Sequence, residues 1–236
     1  MPTRIEKKEV QAMFSDIAPT YDLLNRLLSF GVDRLWRKRA VASLLSYSSG
    51  QEARFLDLAT GTADVALEVH RQADSGARIF GVDFAYPMLA RGKAKAASKG
   101  ATLSLIQGDG LCLPFGDGAF DGVIIAFGLR NFEDREAGLS EMGRVLKAGG
   151  RLAVLEFGHP EGVFGLLYAF YFRVLLPVVG RLVSAHRSAY NYLPNTVYEF
   201  PEAERLSAMM RDAGFRDVSH RPMTGGIAEL HTGVRE

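Results

Sequence analysis

Apolar residues in the middle of the chain come in short runs, separated by stretches in which they recur at helical spacing. Residues 54–58 (RFLDL), 78–82 (RIFGV), 102–106 (TLSLI), 122–127 (GVIIAF) and 151–156 (RLAVLE) are such runs, each closed by Gly, Asp or a turn cluster. Runs of this length between turn residues read as buried strands. Between them, residues 63–72, 87–99 and 134–146 carry the helical spacing, with Gly100 and the pair Gly149 and Gly150 as stops behind the last two. Strand and helix repeated in this way predict an α/β fold: a doubly wound, mostly parallel sheet covered on both faces. Residues 203–213 add a helix ended by Gly214, and 215–220 and 226–231 add two strands as an antiparallel edge hairpin, for seven strands in all.

Two segments lie outside this repeat. Residues 10–45 precede the first strand and look helical from their Leu and Phe spacing, so residues 1–50 are expected to form an N-terminal helical lid. Residues 160–200 form an insert before the last helix, in which 163–183 (VFGLLYAFYFRVLLPVVGRLV) is nearly all apolar. In an open α/β sheet ligands sit beyond the carboxyl ends of the strands, where added segments can cover them. The insert is long enough to span a bilayer. Arg173 at its centre would cost at least roughly 2.5–3.5 kcal/mol there, and Pro177 and Gly180 would break the helix, so a buried or surface-docking segment is expected. Without a repeat, low-complexity tract or linker, residues 1–236 read as one domain.

Charge and cysteine content narrow the functional classes. Lys and Arg number 28 against 27 Asp and Glu, a net of +1, which leaves no surplus for general nucleic-acid binding. The single cysteine, Cys112, has no internal partner for a disulfide, and the N-terminus lacks the apolar core of a secretory signal, so a cytoplasmic protein is expected.

Candidate chemistry gathers at the ends of the expected strands. After the first comes Asp57-Leu58-Ala59-Thr60-Gly61-Thr62-Ala63-Asp64, a loop of small residues leading into a helix, where a ligand can approach the backbone. It lacks the G-x-G-x-x-G spacing of a dinucleotide site. Its carboxylates Asp57 and Asp64 would repel a pyrophosphate but suit a ligand bearing an ammonium and a sulfonium, which favours S-adenosylmethionine over NAD. Asp83, at the end of the second strand, can accept from both hydroxyls of a ribose. Asp109, after the third, can accept from an adenine amino group. Each acid alone could instead cap the helix that follows it.

The loop DLATGTAD, Asp83, the Gly-Asp-Gly at 108–110 and the run LPFGDGAFDGVI together resemble class I methyltransferases. More specifically, YDLLNRLLSFG at 21–31 followed by Leu35-Trp36-Arg37, FGLRN at 127–131, and RVLKAGGR at 144–151 running on to Leu155-Glu156-Phe157 resemble the signatures of the menaquinone and ubiquinone C-methyltransferases. The resemblance runs from about residue 10 to 233. It implies an S-adenosylmethionine-dependent enzyme that methylates a ring carbon of a prenylated quinol, with Thr62, Asp83, Asp109 and Gly110 at the cofactor and no metal. Thr60 and Ala63 stand where the family usually has glycines, Asp33 where it has a histidine, and Ala126 where some members have a serine.

A quinol carbon becomes nucleophilic when the neighbouring hydroxyl loses its proton, so the site must favour a phenolate. Arg130 and Asn131, after the fourth strand, are the leading candidates, Arg130 as a permanent cation; its alternative is a salt bridge to Glu133 or Asp134. Tyr21 and Asn25 on the lid could orient the ring, with packing as the alternative for Tyr21. His159 and His186 are secondary acid or base candidates. The apolar insert, through Phe164, Leu167, Phe170, Tyr171, Leu175 and Leu176, would line a groove for the prenyl tail or dock peripherally on the inner face of the cell membrane; its alternatives are core packing or a homodimer face. Arg173, Arg181 and Arg187 could meet lipid phosphates. Two other functions fit the same residues: methylation of another phenolic or amine acceptor, and a non-catalytic cofactor-binding scaffold in a quinone-pathway assembly.

Overall fold

The computed structural model describes residues 7–46, 52–160, 162, 165, 194 and 196–236. Three helices open the chain, α1 (Lys7–Ile17), α2 (Tyr21–Leu28) and α3 (Asp33–Leu45). There follow β1 (Arg54–Leu58), α4 (Asp64–Gln72), β2 (Arg78–Asp83), α5 (Tyr86–Ser98), β3 (Ser104–Gln107), β4 (Phe120–Ala126), a 3-10 turn (Leu129–Asn131), α6 (Arg135–Val145) and β5 (Leu146–Phe157). The helix Ala203–Asp212, here α7, precedes β6 (Phe215–Met223) and β7 (Ala228–Arg235).

The strands form one sheet in the order β3-β2-β1-β4-β5-β7-β6. The first five run parallel, and β7 is antiparallel to both β5 and β6. The expected hairpin is present, but its second strand lies inside and its first at the edge. Composition explains this inversion. β7 (AELHTGVR) is buried along most of its length, whereas the middle of β6 (FRDVSHRPM) is mostly exposed and holds Pro222, which an edge strand tolerates.

Side chains alternate across the sheet with the period of two that a strand imposes. Leu56, Leu58, Val123, Ile125, Leu152 and Val154 join the core on one face; Phe55, Ile124, Ala153 and Leu155 join the other. Each of the fully buried Val, Leu, Ile and Phe side chains among these contributes about 1.5–3 kcal/mol. α6 ends the loop after β4 with a true cap, the Asp134 side chain accepting from Ala137 N–H at 2.9 Å. Several strand bounds differ from expectation: β3 and β7 begin and end later than 102–106 and 226–231, β4 begins and ends earlier than 122–127, and β5 is longer than 151–156, beginning at Leu146 because that residue pairs with Phe120 ahead of a register shift in β4.

The N-terminal segment divides its work. Residues of α1 and α2 pack with Ala85 and Met88 beyond the end of β2, in a cluster of Phe14, Ile17, Ala18 and Tyr21. α3 instead sits on the sheet, burying Trp36, Ala40, Val41 and Leu44 in the second core, with Trp36 Nε1 donating to Thr224 Oγ1 at 2.8 Å. Only the first two helices therefore stand where a cover would. The apolar stretch 163–183 with its six groove candidates, and Arg173, Arg181, His186 and Arg187, lie outside the described residues. No helix among the described residues is long and apolar enough to cross a membrane.

Candidate active site

A cleft opens at the carboxyl ends of β1, β2, β3 and β4, where an open parallel sheet places its ligands. Asp83, Gly108, Asp109 and Gly110 form one side, Ala126, Gly128 and Asn131 another, and Val10, Phe14 and Tyr21 the roof. Phe84, Met88, Leu111 and Phe132 give it apolar walls. Its edges are built from backbone that side chains disfavour: Ala59 (φ +54°) and Phe127 (φ +58°), both lining the cleft, are left-handed. Such conformations cost about 1–3 kcal/mol each and collect around functional clefts. Gly128 permits the β1 and β4 loops to meet, because a Cβ there would lie 2.6 Å from the Ala59 methyl.

Asp83 is buried at the end of β2, its Oδ2 accepting from Gly61 N–H at 2.8 Å and its Oδ1 from Ala85 N–H at 2.9 Å. Burial raises its carboxyl above the usual range, with the backbone donors Ala85, Gly61 and Phe84 opposing. Asp109 Oδ1 accepts from Leu111 N–H at 3.1 Å, which holds the β3 loop in a tight turn. Gly110 is required by space: a Cβ would lie 2.4 Å from Phe132 Cζ.

The two other expected cofactor residues are near the cleft but not on its wall. Asp57 lies beneath the β1 loop, its Oδ2 accepting from Thr60 Oγ1 and, at 2.9 Å, from Ala66 N–H in the first turn of α4. This is the helix-capping alternative open at the level of sequence. Desolvation pushes the Asp57 carboxyl up to about 7, against the hydrogen bonds from Thr60 and Ala66. Thr62 is buried and donates to Asp22 Oδ1 at 2.6 Å while accepting from Lys95 Nζ at 2.8 Å.

Asp64, expected to present its charge to a ligand, does not do so. Burial alone would raise its carboxyl, but Arg37 and Lys95 outweigh that and hold it below the ordinary value. Its oxygens lie 2.8 Å from Arg37 and 2.7 Å from Lys95, so its charge is matched inside the protein and does not face a ligand. Asp33, at the histidine position of the family signature, accepts from Ser29 at 2.7 Å and pairs with Arg37 at 3.1 Å. Ala63 is left-handed (φ +65°) and not helical, so its methyl is a strained substitution where a glycine would relax.

Arg130 and Asn131 share the 3-10 turn after β4 but face differently. Asn131 lines the cleft. Arg130 is only 8% exposed, stacks over Phe157 at 5.3 Å, and pairs with neither Glu133 nor Asp134 but with Glu156, Nη1 to Oε2 at 3.0 Å. Nη1 also donates to the Phe127 carbonyl. Tyr21 lines the cleft beside the loop turn, where a Cβ at Gly61 would fall 3.8 Å from its Cε1. Asn25 is not on the wall, and His159 is exposed beyond β5. Sequence reasoning missed the roof residues Val10 and Phe14, the wall residues Phe84, Met88 and Phe132, and Glu156 as the partner of Arg130. The last had a signal, since a lone acid ends the otherwise apolar run LAVLE.

The family model described as the ubiE/COQ5 methyltransferase family matches residues 2–235. A demethylmenaquinone methyltransferase of Thermus thermophilus is 53% identical over 224 residues, 94% of this chain and all of that one. The ubiquinone/menaquinone biosynthesis C-methyltransferase UbiE of Geobacter sulfurreducens is 51% identical over 98% of this chain and 90% of its own length. Among solved structures, a SAM-dependent methyltransferase of Thermotoga maritima described as a possible histamine N-methyltransferase superposes with a TM-score of 0.67 at 19% identity, covering 95% of this chain and 99% of its own, a likeness of fold. The family expected from the signatures is therefore the one found: the chain belongs to the ubiE/COQ5 methyltransferase family.

Proposed function

We propose that this protein transfers the methyl group of S-adenosyl-L-methionine to a ring carbon of a prenylated quinol in menaquinone or ubiquinone biosynthesis. The observation that carries the reading is the convergence of Asp83, Asp109 and Gly110 on one apolar-walled cleft in a chain about half identical to demethylmenaquinone methyltransferase. The residues present fit the cofactor. Asp83 accepts from backbone N–H groups on both oxygens, Gly61 on Oδ2 and Ala85 on Oδ1, and a carboxylate so held keeps lone-pair capacity for a ribose hydroxyl. Gly108 and Gly110 bring the β3 loop against Val82 and Phe132 at the cleft wall, with Asp109 between them as acceptor for the purine amino group.

When bound, the cofactor supplies an electrophilic methyl on a cationic sulfur. The protein's own residues must align the acceptor with it, because an in-line displacement depends on geometry. Asn131 and Tyr21 face the cleft and orient the quinol oxygen and ring. Arg130 has its charge matched by Glu156; it acts from behind, holding the turn that presents Asn131. Asp57 and Thr62 hold the β1 loop from beneath and from the side. The aromatic roof of Phe14 and Tyr21 excludes water from the reacting carbon. The same reading makes this a cytoplasmic protein whose substrate carries its prenyl tail in the bilayer.

The test is the quinone pool. Cells lacking the gene should accumulate the demethylated prenyl quinone and recover the methylated form when the gene is restored. An unchanged pool, or accumulation of a precursor lacking an O-methyl or N-methyl group, rejects the reading.

A further inference from the structure

Lys95 lies in α5 and is not among the residues that line the cleft. Its ammonium carries three protons and meets three oxygens on three elements. These are Asp22 Oδ2 of α2 at 2.6 Å, Thr62 Oγ1 of the β1 loop at 2.8 Å, and Asp64 Oδ1 of α4 at 2.7 Å. Thr62 closes the ring by donating to Asp22 Oδ1 at 2.6 Å. From Asp64 the network continues to Arg37 of α3. The Lys95 side chain is 18% exposed and that of Asp22 24%, so the contacts are partly shielded from water and salt.

α2 needs such a tie. It is only eight residues long, too short to be stable by itself, and Leu23 on it is 60% exposed. Asp22 directly follows Tyr21, which lines the cleft beside the loop at Gly61. We infer that Lys95 is a positioning residue for the cofactor: by gathering Asp22, Thr62 and Asp64 on one ammonium, it fixes Tyr21 over the loop that the cofactor must touch. The inference rests on the proposed cofactor. A lysine suits the task better than an arginine, since three converging acceptors match a tetrahedral ammonium and not a planar fork.

The test measures S-adenosylhomocysteine binding by calorimetry on the full chain, with no quinol present. Lys95→Met should weaken binding about tenfold, the scale of a lost hydrogen bond to a charged group. Asp22→Asn, which leaves the Asp64–Arg37 pair intact, should weaken it in the same direction without a matching fall in the unfolding midpoint, and it carries the test should Lys95→Met fail to fold. Because Lys95 acts through Tyr21, Lys95→Met in a Tyr21→Ala background should cost less than about twofold more, the signature of coupled residues. Unchanged affinity in both single variants, or effects of Lys95→Met and Tyr21→Ala that multiply independently, would overturn the inference while leaving the proposed function standing. A wild-type chain that binds no S-adenosylhomocysteine would overturn both.

Discussion

Arg130 and Glu156 form an ion pair in which both partners are buried, Nη1 lying 3.0 Å from Oε2 and 3.2 Å from Oε1. Glu156 Oε1 also accepts from the Arg130 backbone N–H at 3.2 Å, so a single carboxylate fastens the end of β5 to the turn after β4. Breaking such a pair from one side leaves an uncompensated buried charge, which costs about 3–5 kcal/mol. Glu156→Leu is therefore expected to lower the free energy of unfolding by that amount in urea titration. The double variant Glu156→Leu with Arg130→Met should be less destabilised than either single variant, because no charge is left unpaired.

Gly110 is held against Phe132 with no room for a methyl. Gly110→Ala should push Phe132 out of the cleft wall. The expected result is cofactor affinity weakened at least about tenfold with a stability loss of roughly 1–3 kcal/mol, the usual cost of overpacking. Calorimetric binding alongside thermal unfolding separates the two effects.

Asp57 makes stability depend on pH in a definite direction. Its carboxyl is raised from 3.8 to about 7 by burial, so between those values the folded state holds a proton that the unfolded state has released. Stability from this group is fully present below about pH 3.8 and is lost as pH rises through 7, on the order of 4 kcal/mol in all. Asp57→Asn removes this titration. Relative to that variant, the wild type should lose stability steadily from about pH 4 to about pH 7 and level off above it in urea titrations; a constant gap across that window would contradict the assigned environment.

His231 works in the opposite sense. Burial lowers its imidazole from 6.5 to about 4, with the hydrogen bond to Ala203 and the neighbour Glu204 opposing. As pH falls from 6.5 toward 4 the unfolded chain binds a proton that the folded chain refuses, so stability falls across that window. His231→Gln, which keeps a donor toward the Ala203 carbonyl 2.9 Å away, should abolish that acid-side loss.

The sequence made the alternating core legible because strands such as 54–58 and 122–127 are apolar on both faces, a pattern only a doubly covered sheet explains. Asp83, Asp109, Gly110, Asn131 and Tyr21 were legible for a related reason: strand ends are fixed by the pattern, and these residues stand at them or in a recognisable signature. What could not be read was which way a side chain turns once it arrives. Arg130 and Asn131 are adjacent, yet one faces Glu156 and the other the cleft, a choice made by a buried carboxylate that pairs only across β4 and β5. Asp64 was likewise read as facing a ligand because Lys95 and Arg37, which match its charge, lie 31 and 27 residues away in the chain. The order of β6 and β7 turned on which strand could bear exposure, and this appears only when both are compared.

Methyl transfer to carbon is tested most directly with the purified protein, S-adenosylmethionine carrying a deuterated methyl group, and a demethylated prenyl naphthoquinol kept reduced. Mass and NMR spectra of the product should place the label on the ring carbon ortho to the quinol hydroxyl, with turnover lost in Asn131→Ala. Label on oxygen, or none on the quinol while another phenol or an amine is methylated, would contradict the assignment.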